Sequence, residues 1–235
     1  MRLNRRIGVV IPALNEEQAI GKVIADIPEW VDRIVVVDNG SRDRTAQVAR
    51  EAGAVAVGEM ERGYGAACLT GLAELGDMDV IVFLDGDYSD YPEEMAMIVD
   101  PILAGDCDFV IGSRRGARVD RGALTPQQRF GNWLACRLMR LIWSTDYTDL
   151  GPFRAIDAAA LRRLGMQDRN YGWTIEMQIK AALAGLRTRE VEVGYRPRIG
   201  LSKVSGTVRG TVGAGVKILG TIARFALFAQ RPQRA

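Results

Sequence analysis

The stretch Val80–Asp87, VIVFLDGD, is an apolar run that ends in two aspartates around a glycine. An uninterrupted apolar run of this length is typical of a strand that is buried on both faces of a sheet. Similar short runs lie before and after it along the chain, at Ile7–Ile11, Arg33–Val37, Ala54–Val57 and Phe109–Ile111. Segments with helical spacing separate these runs, and this alternation predicts a mostly parallel sheet flanked by helices on both faces. The chain is therefore expected to have an α/β fold.

The remaining segments define the expected helices and loops. The expected helices are Asn15–Ile27, a stretch that ends at Ala52, Gly63–Leu75, Glu93–Leu103, Thr125–Trp143, Trp173–Ala184 and Thr207–Phe228. Leu186–Tyr195 predicts an edge strand, and the basic segments Gly116–Leu124 and Arg196–Gly206 predict loops. Because no linker interrupts the body, we expect one domain over residues 1–206, followed by a basic amphipathic helix and tail over residues 207–235.

The composition is that of a globular protein and excludes several kinds of chemistry. The 235 residues are 48% hydrophobic and 26% charged, which excludes a disordered chain, a collagen and a polytopic membrane protein. Histidine is absent, so Ser-His-Asp catalysis, Cys-His catalysis and His-ligated zinc are excluded. The three cysteines lie far apart, and the apolar part of the N-terminal segment is too short for a signal peptide. We therefore expect a cytoplasmic protein.

Positive charge is concentrated near the C-terminal end. No acidic residue follows Glu192, whereas the residues before position 196 hold 23 of the 31 basic residues against all 29 acidic ones. The basic residues after Glu192 are Arg196, Arg198, Lys203, Arg209, Lys217, Arg224, Arg231 and Arg234. A basic tail on a mildly acidic body predicts contact with phosphates, as anionic lipid, nucleotide or nucleic acid.

Polar motifs follow the predicted strands and are expected to converge, because the ligand crevice of such sheets lies at the carboxyl ends of the strands. Asp85-Gly86-Asp87 offers two carboxylates that suit Mg²⁺ or Mn²⁺, while helix capping explains aspartates in this region equally well. Asp38-Asn39-Gly40-Ser41 offers an acidic group for a ribose or a base, or forms only a turn. Gly112-Ser113-Arg114 and the Arg198–Lys203 loop offer cations for phosphate oxygens, or are solvated loops.

Taken together, these motifs resemble family 2 glycosyltransferases of the GT-A fold, and most closely the polyprenyl-phosphate branch that is similar to dolichyl-phosphate mannose synthases. The matching segments run in order from about Val9 to Gly206: VVIPALNEE, VVVDNGSRDRT, RGYGAA, FLDGDYSDYPEE, VIGSR, DLGPFRAI, YGWTIEMQIKA and YRPRIGLSKVSG. The resemblance implies a Rossmann-like GT-A domain, a nucleoside-diphosphate sugar donor, Mg²⁺ or Mn²⁺ as the cofactor and a lipid-phosphate acceptor. It implies no nucleic-acid partner, and an oligomer is possible.

The resemblance also implies roles for individual residues. The nucleotide would be bound by Pro12, Leu14, Glu16, Asp38 and Asp85. The metal would be held by Asp85 and, more directly, by Asp87. The diphosphate or the acceptor phosphate would face Arg114, Arg198 and Lys203, and the acceptor side would include Asp149 and Arg154. The expected catalytic residues are Asp87, Arg114 and Lys203.

Departures from the family's patterns bear on the acceptor. Ser89 stands where the synthases often have Gln, and neither an ED dyad nor the QxxRW signature of processive polysaccharide synthases is evident. A hydroxyl acceptor needs a carboxylate base, whereas a lipid phosphate is already anionic and needs cationic positioning. We therefore expect metal-dependent, inverting transfer of a hexose to a polyprenyl phosphate at the cytoplasmic face of a membrane. The alternatives are a sugar nucleotidyltransferase and a non-catalytic nucleotide-sugar-binding protein of the same fold.

The spacing within Thr207–Phe228 predicts an amphipathic helix. An apolar stripe is formed by Val212, Val216, Leu219, Ala223 and Leu227, and a polar stripe by Lys217, Thr221 and Arg224. The apolar run is shorter than the ~20 residues that a membrane span needs. We expect a helix that lies on an anionic membrane surface, with packing on the body or in a dimer as the alternative.

Overall fold

The strands follow the alternation predicted from the sequence. The computed structural model describes residues 1–116, 118–200 and 208–228. The strands are β1 (Ile7–Ala13), β2 (Arg33–Asp38), β3 (Val55–Gly58), β4 (Val80–Phe83), β5 (Phe109–Ser113), β6 (Arg154–Asp157) and β7 (Thr188–Glu192). Within the described residues they form one seven-stranded sheet in the order β3-β2-β1-β4-β6-β5-β7. The predicted α/β fold is confirmed, and β7 lies at the edge of the sheet as expected.

One strand of this sheet was not predicted. β6 is antiparallel to its neighbours β4 and β5, whereas the other pairings in the sheet are parallel. It has only four residues and is bounded by two charged ones, Arg154 and Asp157, so no apolar run marks it in the sequence. The mostly parallel sheet is thus confirmed, with one reversed strand inserted between β4 and β5.

Helices cover both faces of the sheet. They are α1 (Ile20–Ala25), α2 (Thr45–Glu51), α3 (Tyr64–Leu75), α4 (Met95–Leu103), α5 (Pro126–Trp143), α6 (Ala158–Leu164), α7 (Trp173–Leu183) and α8 (Val208–Phe228). One apolar core joins α1, α2 and α4 to the sheet, and a second joins α3 and α5–α8 to the opposite face. Thr125, the first residue of the predicted helix Thr125–Trp143, caps α5: its hydroxyl accepts from the Gln128 N–H at 3.2 Å. Helix α6 was not predicted.

The first helix begins later than the predicted start at Asn15. Asn15 has a left-handed backbone, with a φ of 53°, and its N–H donates to the Ser41 hydroxyl at 2.8 Å. The N–H of Glu16 donates to the Thr45 hydroxyl at 2.8 Å. These bonds join the loop after β1 to the loop after β2, so the backbone of Asn15 and Glu16 is committed to the sheet edge and α1 starts only at Ile20.

Helix α8 packs against α5 and α7 instead of lying free of the body. Ile222 is buried in the core, and Lys217 Nζ lies 2.8 Å from Asp168 Oδ2. Of the stripe predicted to be polar, Thr221 is buried, whereas Lys217 and Arg224 stay exposed and Lys217 pairs with Asp168 at the edge of the contact. The apolar side chains of Val216, Leu219, Ala223 and Leu227 are exposed as well. Among the described residues, no helix is both long and apolar enough to cross a membrane.

Candidate active site

A large cavity lies at the carboxyl ends of the strands, where the sequence placed the ligand crevice. Its volume is about 1040 Å³, enough for a nucleotide sugar together with an acceptor group. The predicted site residues that line it are Pro12, Leu14, Glu16, Asp85, Asp87, Arg114 and Arg198. Asp38, Asp149 and Arg154 do not line it. Lys203 lies outside the described residues, so its predicted role stays a prediction.

Asp85 follows β4 and lies in the cavity floor. The Tyr64 hydroxyl donates a hydrogen bond to Asp85 Oδ1 at 3.0 Å. Burial, reinforced by the nearby charge of Asp87, raises the pKa of Asp85 to about 6. Burial and the Asp85 carboxylate raise the pKa of Tyr64 well above its usual value, so the phenol remains a donor. A cation bound nearby would therefore stabilise the ionised form of Asp85.

Asp87 is almost fully buried and is held by its own turn. Tyr88 has a left-handed backbone, with a φ of 64°, and this turn brings the Ser89 N–H to 2.9 Å from Asp87 Oδ1. The Ser89 hydroxyl donates to the same oxygen at 2.5 Å. The other oxygen, Oδ2, forms an ion pair with Arg198. Ser89, which departs from the family's pattern, thus orients one carboxylate oxygen while Arg198 neutralises the other.

The segment that carries Arg198 is attached to the same turn. Arg196 lies over the ring of Tyr88, with its guanidinium carbon 3.4 Å from the ring centroid, and donates to the Tyr88 carbonyl at 2.7 Å. The Ile199 N–H donates to the Asp87 carbonyl at 2.9 Å. Cations from the C-terminal part of the chain are therefore fixed against the predicted metal-binding turn.

The carboxylates at the end of β4 suit a hard divalent cation. Asp90 Oδ1 is a buried oxygen without a hydrogen-bond partner in the described part of the chain, and Asp90 Oδ2 accepts from the Asp85 N–H at 3.5 Å. Burial and the charges of Asp85 and Asp87 raise the pKa of Asp90 well above its usual value. Among the described residues, no group of three or more metal-ligating side chains is arranged to hold a metal ion by itself. Asp85 and Asp87 would hold such an ion.

At the end of β2, Asn39 lines the cavity, whereas the resemblance implied Asp38 at this place. The Asp38 carboxylate accepts from the Ser41 N–H at 3.0 Å, which is the turn predicted as its alternative role. Asn39 lines the cavity, accepts from the Gly63 N–H at 2.8 Å and donates to the Glu61 carbonyl at 2.7 Å. The asparagine thereby joins the DNGS turn to the RGYG segment, a contact between distant residues that no local pattern reveals.

Arg114 enters the cavity with its direction fixed by Asp149. Its Nε and Nη2 donate to the two Asp149 oxygens at 2.9 and 2.8 Å, and its guanidinium lies 5.0 Å from the Tyr195 ring centroid. Burial alone would raise the pKa of Asp149, but the ion pair and hydrogen bonds with Arg114 outweigh burial and lower that pKa. Asp149 is therefore a positioning residue that does not itself line the cavity, and its expected place near the acceptor side stays a prediction.

Arg154 was expected on the acceptor side and lies in the core. As part of β6 it is fully buried, and its guanidinium donates to the Gly151 carbonyl at 2.9 Å and the Thr174 carbonyl at 3.0 Å. Burial lowers the pKa of Arg154 to about 10, so the group keeps its charge at neutral pH. The antiparallel insertion of β6 buries this cation, and Arg154 does not line the cavity.

Tyr64 is a site residue to which the sequence gave no role. The RGYG segment approaches the loop before α7 closely: the Ala66 N–H donates to the Arg169 carbonyl at 2.9 Å, and a Cβ on Gly65 would collide with the Asp168 carbonyl. Only glycine permits this approach, which brings the Tyr64 hydroxyl to Asp85. The sequence feature that could have identified Tyr64 as a site residue is its position between two glycines at the start of a predicted helix.

Comparisons with known proteins agree with this geometry. The profile described as "Glycosyl transferase family 2" matches residues 8–165. An uncharacterized glycosyltransferase of Mycobacterium tuberculosis is 36% identical over 208 residues, covering 88% of this chain and 93% of that protein. A dolichyl-phosphate hexose transferase of Haloferax volcanii is 33% identical over 204 residues, covering 84% of this chain and 86% of that protein.

A solved structure shows the same fold. Glucosyl-3-phosphoglycerate synthase of Mycobacterium tuberculosis, crystallised with Mn²⁺, UDP-glucose and phosphoglyceric acid, superposes with a TM-score of 0.78 at 23% identity, over 97% of this chain and 82% of that one. The GT-A fold expected from the resemblance is thereby confirmed. Since the family profile covers more than half of the chain and a relative of 36% identity spans most of it, the chain is a glycosyltransferase that belongs to glycosyl transferase family 2.

Proposed function

We propose that this enzyme transfers a sugar from a nucleoside-diphosphate sugar to a lipid phosphate, with inversion at the anomeric carbon and with Mg²⁺ or Mn²⁺. The observation that carries the proposal is the charge of the cavity wall between residues 114 and 152. The cations that line this wall are Arg114, Arg115, Arg129, Arg137 and Arg140, and no carboxylate lines it within the described residues. A wall with five cations and no base suits an acceptor that is already an anion.

The donor half of the cavity supports the other part of the proposal. The carboxylates that line the cavity, Glu16, Asp85 and Asp87, follow β1 and β4, outside the stretch of residues 114–152 that forms the cationic wall. A divalent ion held by Asp85 and Asp87 would neutralise charge on the departing nucleoside diphosphate. Arg114 and Arg198, which both line the cavity, would bind phosphate oxygens, and the ion pair with Asp149 supports this role by fixing the direction of Arg114.

The relatives support a phosphate-bearing acceptor without fixing its kind. The Haloferax volcanii relative is named for dolichyl phosphate, whereas the solved synthase was crystallised with phosphoglyceric acid. We favour a polyprenyl phosphate, because the exposed apolar face of α8 offers a contact with a membrane on which such an acceptor resides. The enzyme would then act as a peripheral protein at the cytoplasmic face.

A transfer assay with three acceptors tests the reaction. Purified enzyme is incubated with labelled nucleotide sugars, Mn²⁺ and either undecaprenyl phosphate, undecaprenol or 3-phosphoglycerate. We expect label in undecaprenyl phosphate and none in undecaprenol, because only the phosphate can bind the cationic wall and attack without a base. Label confined to 3-phosphoglycerate or to undecaprenol would overturn the lipid-phosphate proposal.

A pair of variants tests the role of the metal-binding turn. Asp87→Asn should lower transfer by about a hundredfold or more, because an amide is a poorer ligand for a hard cation. Asp77→Asn, an exposed carboxylate on the loop before β4, is the matched control and should keep full activity. The affinity for Mn²⁺ can be measured from the electron paramagnetic resonance signal of the free ion, and it should fall in Asp87→Asn but not in Asp77→Asn. Equal Mn²⁺ affinity in both variants would remove Asp87 from the metal site.

A further inference from the structure

Helix α5 exposes large apolar side chains beside the cavity. Phe130 is 61% exposed, Trp133 58% and Leu141 69%, and the Phe130 and Trp133 ring centroids lie 5.9 Å apart. The opposite side of α5 is buried in the core through Ala135 and Met139. Adjacent exposed aromatic rings on a helix with its own buried side are a typical sign of an interaction site.

Helix α8 extends this apolar surface. It packs against α5 and exposes Val216, Leu219 and Leu227. We refer to the exposed apolar side chains of the two helices as the α5–α8 surface; they are Phe130, Trp133, Leu141, Val216, Leu219 and Leu227. Because both helices are fixed to the same core, the α5–α8 surface is presented by a preformed support.

The charges of the two helices indicate what the surface binds. Neither α5 nor α8 contains an acidic residue. In the described part of the chain, Arg140 pairs with Asp146, whereas no carboxylate pairs with the exposed Arg129 or Arg137. Exposed aromatic rings next to unpaired arginines complement an anionic phospholipid surface, where rings lie at headgroup level and cations bind phosphates. A second copy of the same surface would bring cation against cation, which is unfavourable.

The cavity reaches this surface. Arg129, Trp133 and Arg137 are exposed and also line the cavity, and the half-buried Gly215 and Ile218 of α8 line it too. A bilayer in contact with the α5–α8 surface would therefore lie at the cationic end of the cavity. A lipid phosphate could enter that end while its hydrocarbon chain stays in the membrane.

We propose that the α5–α8 surface is a docking site for an anionic phospholipid bilayer, with Phe130 and Trp133 inserted at headgroup level. The proposal extends the lipid-phosphate acceptor proposed above, and it makes α5 a membrane-binding element in addition to α8. The contact would align the acceptor end of the cavity with the membrane plane.

Vesicle sedimentation tests the docking site. The full chain should bind vesicles of phosphatidylglycerol and phosphatidylcholine, and binding should weaken with salt and on pure phosphatidylcholine. The double variant Phe130→Ser, Leu141→Ser, whose residues do not line the cavity, should bind at least about tenfold more weakly. Met60→Ser, which removes a 93% exposed methionine elsewhere, should bind like the wild type. Equal binding by the double variant and Met60→Ser would overturn the proposal.

Fluorescence locates the contact independently. Brominated lipids should quench Trp133, and Trp133→Phe should remove most of this quenching while Trp30, Trp143 and Trp173 remain as unquenched reporters. Quenching that persists in Trp133→Phe would place the contact elsewhere and overturn the proposal. So would a dimer in solution that the Phe130→Ser, Leu141→Ser variant converts to monomer, because the surface would then bind a second copy.

The two proposals fail in different ways. Transfer to detergent-dispersed undecaprenyl phosphate by a protein that does not bind vesicles would refute docking and leave the reaction standing. Salt-sensitive vesicle binding through Trp133 by a protein that transfers sugar only to 3-phosphoglycerate would refute the lipid-phosphate acceptor and leave docking standing.

Discussion

Asp85→Asn should stabilise the ligand-free protein at neutral pH, because the wild-type carboxylate is buried beside Asp87 and Asp90. The pKa of Asp85 is raised to about 6 in the folded protein, against an ordinary value of 3.8. A difference of about 2 between these pKa values corresponds to about 3 kcal/mol once the carboxyl is ionised in both states. Asparagine keeps an oxygen for the Tyr64 hydroxyl and carries no charge, so its free energy of unfolding should rise by up to about 3 kcal/mol above pH 7.

The gain should disappear in acid. Below about pH 4 the carboxyl is protonated in the folded and the unfolded chain, and the substitution changes little. Between about pH 4 and pH 6 the folded chain keeps a proton on Asp85 that the unfolded chain releases, so the wild type loses stability as the pH rises through the folded-state pKa. The difference between variant and wild type should therefore grow from near zero at about pH 4 to its full value above pH 7.

Urea unfolding followed by circular dichroism at about pH 4, 6 and 7.5 measures this difference. The exposed Asp77→Asn is the matched control and should show no such dependence on pH. Mn²⁺ at about 100 times its dissociation constant should stabilise the wild type by about 2.7 kcal/mol and Asp85→Asn by much less. A variant that is less stable than the wild type at pH 7.5, or equally stabilised at every pH, would refute the electrostatic reasoning.

Three further changes test the framework of the site. Asp149→Asn should lower the free energy of unfolding by about 3 kcal/mol or more and should lower the transfer rate, because the buried Arg114 loses its counter-ion. Thermal unfolding measures the first effect and the transfer assay the second. An unchanged melting temperature would contradict the pairing of Asp149 with Arg114. Gly65→Ala should destabilise the protein by about 3 kcal/mol, because the new Cβ would meet the backbone carbonyl of Asp168. Gly220→Ala, which has open space around it, is the control and should be neutral or stabilising. Similar urea midpoints for the two variants would argue against the close approach of Gly65 to the loop before α7. Burial, with smaller effects from nearby carboxylates, raises the pKa of Cys136 to about 12. The Cys136 thiol should therefore react with Ellman's reagent only after unfolding. Rapid reaction of this thiol in the native protein at pH 8 would contradict the burial.

Local patterns were sufficient for most of the elements and for the position of the site. The apolar runs predicted β1 to β5 and the segment Leu186–Tyr195 predicted β7, and polar residues that follow β1, β4 and β5 do line one cavity. Thr125 and Pro126 predicted the start of α5, because a helix start depends on residues within one turn. The motif order also identified the family, which the comparisons confirm.

The partners of the site residues could be read only from the tertiary structure. Asp87 with Arg198, Arg114 with Asp149 and Asn39 with Gly63 are pairs whose members lie in different loops, far apart in the sequence. The order of the strands brings them together, and strand order depends on how whole elements pack, which periodicity within one element does not encode.

The sequence by itself determined the α/β fold, the family and the strand ends at which the carboxylates and cations lie. The tertiary structure decided the surroundings of individual side chains: inserting β6 between β4 and β5 buries Arg154, and packing α8 on the body pairs the exposed Lys217 with Asp168. The physical reason is that a side chain's type is local, whereas its exposure and its counter-ion are set by the elements packed around it.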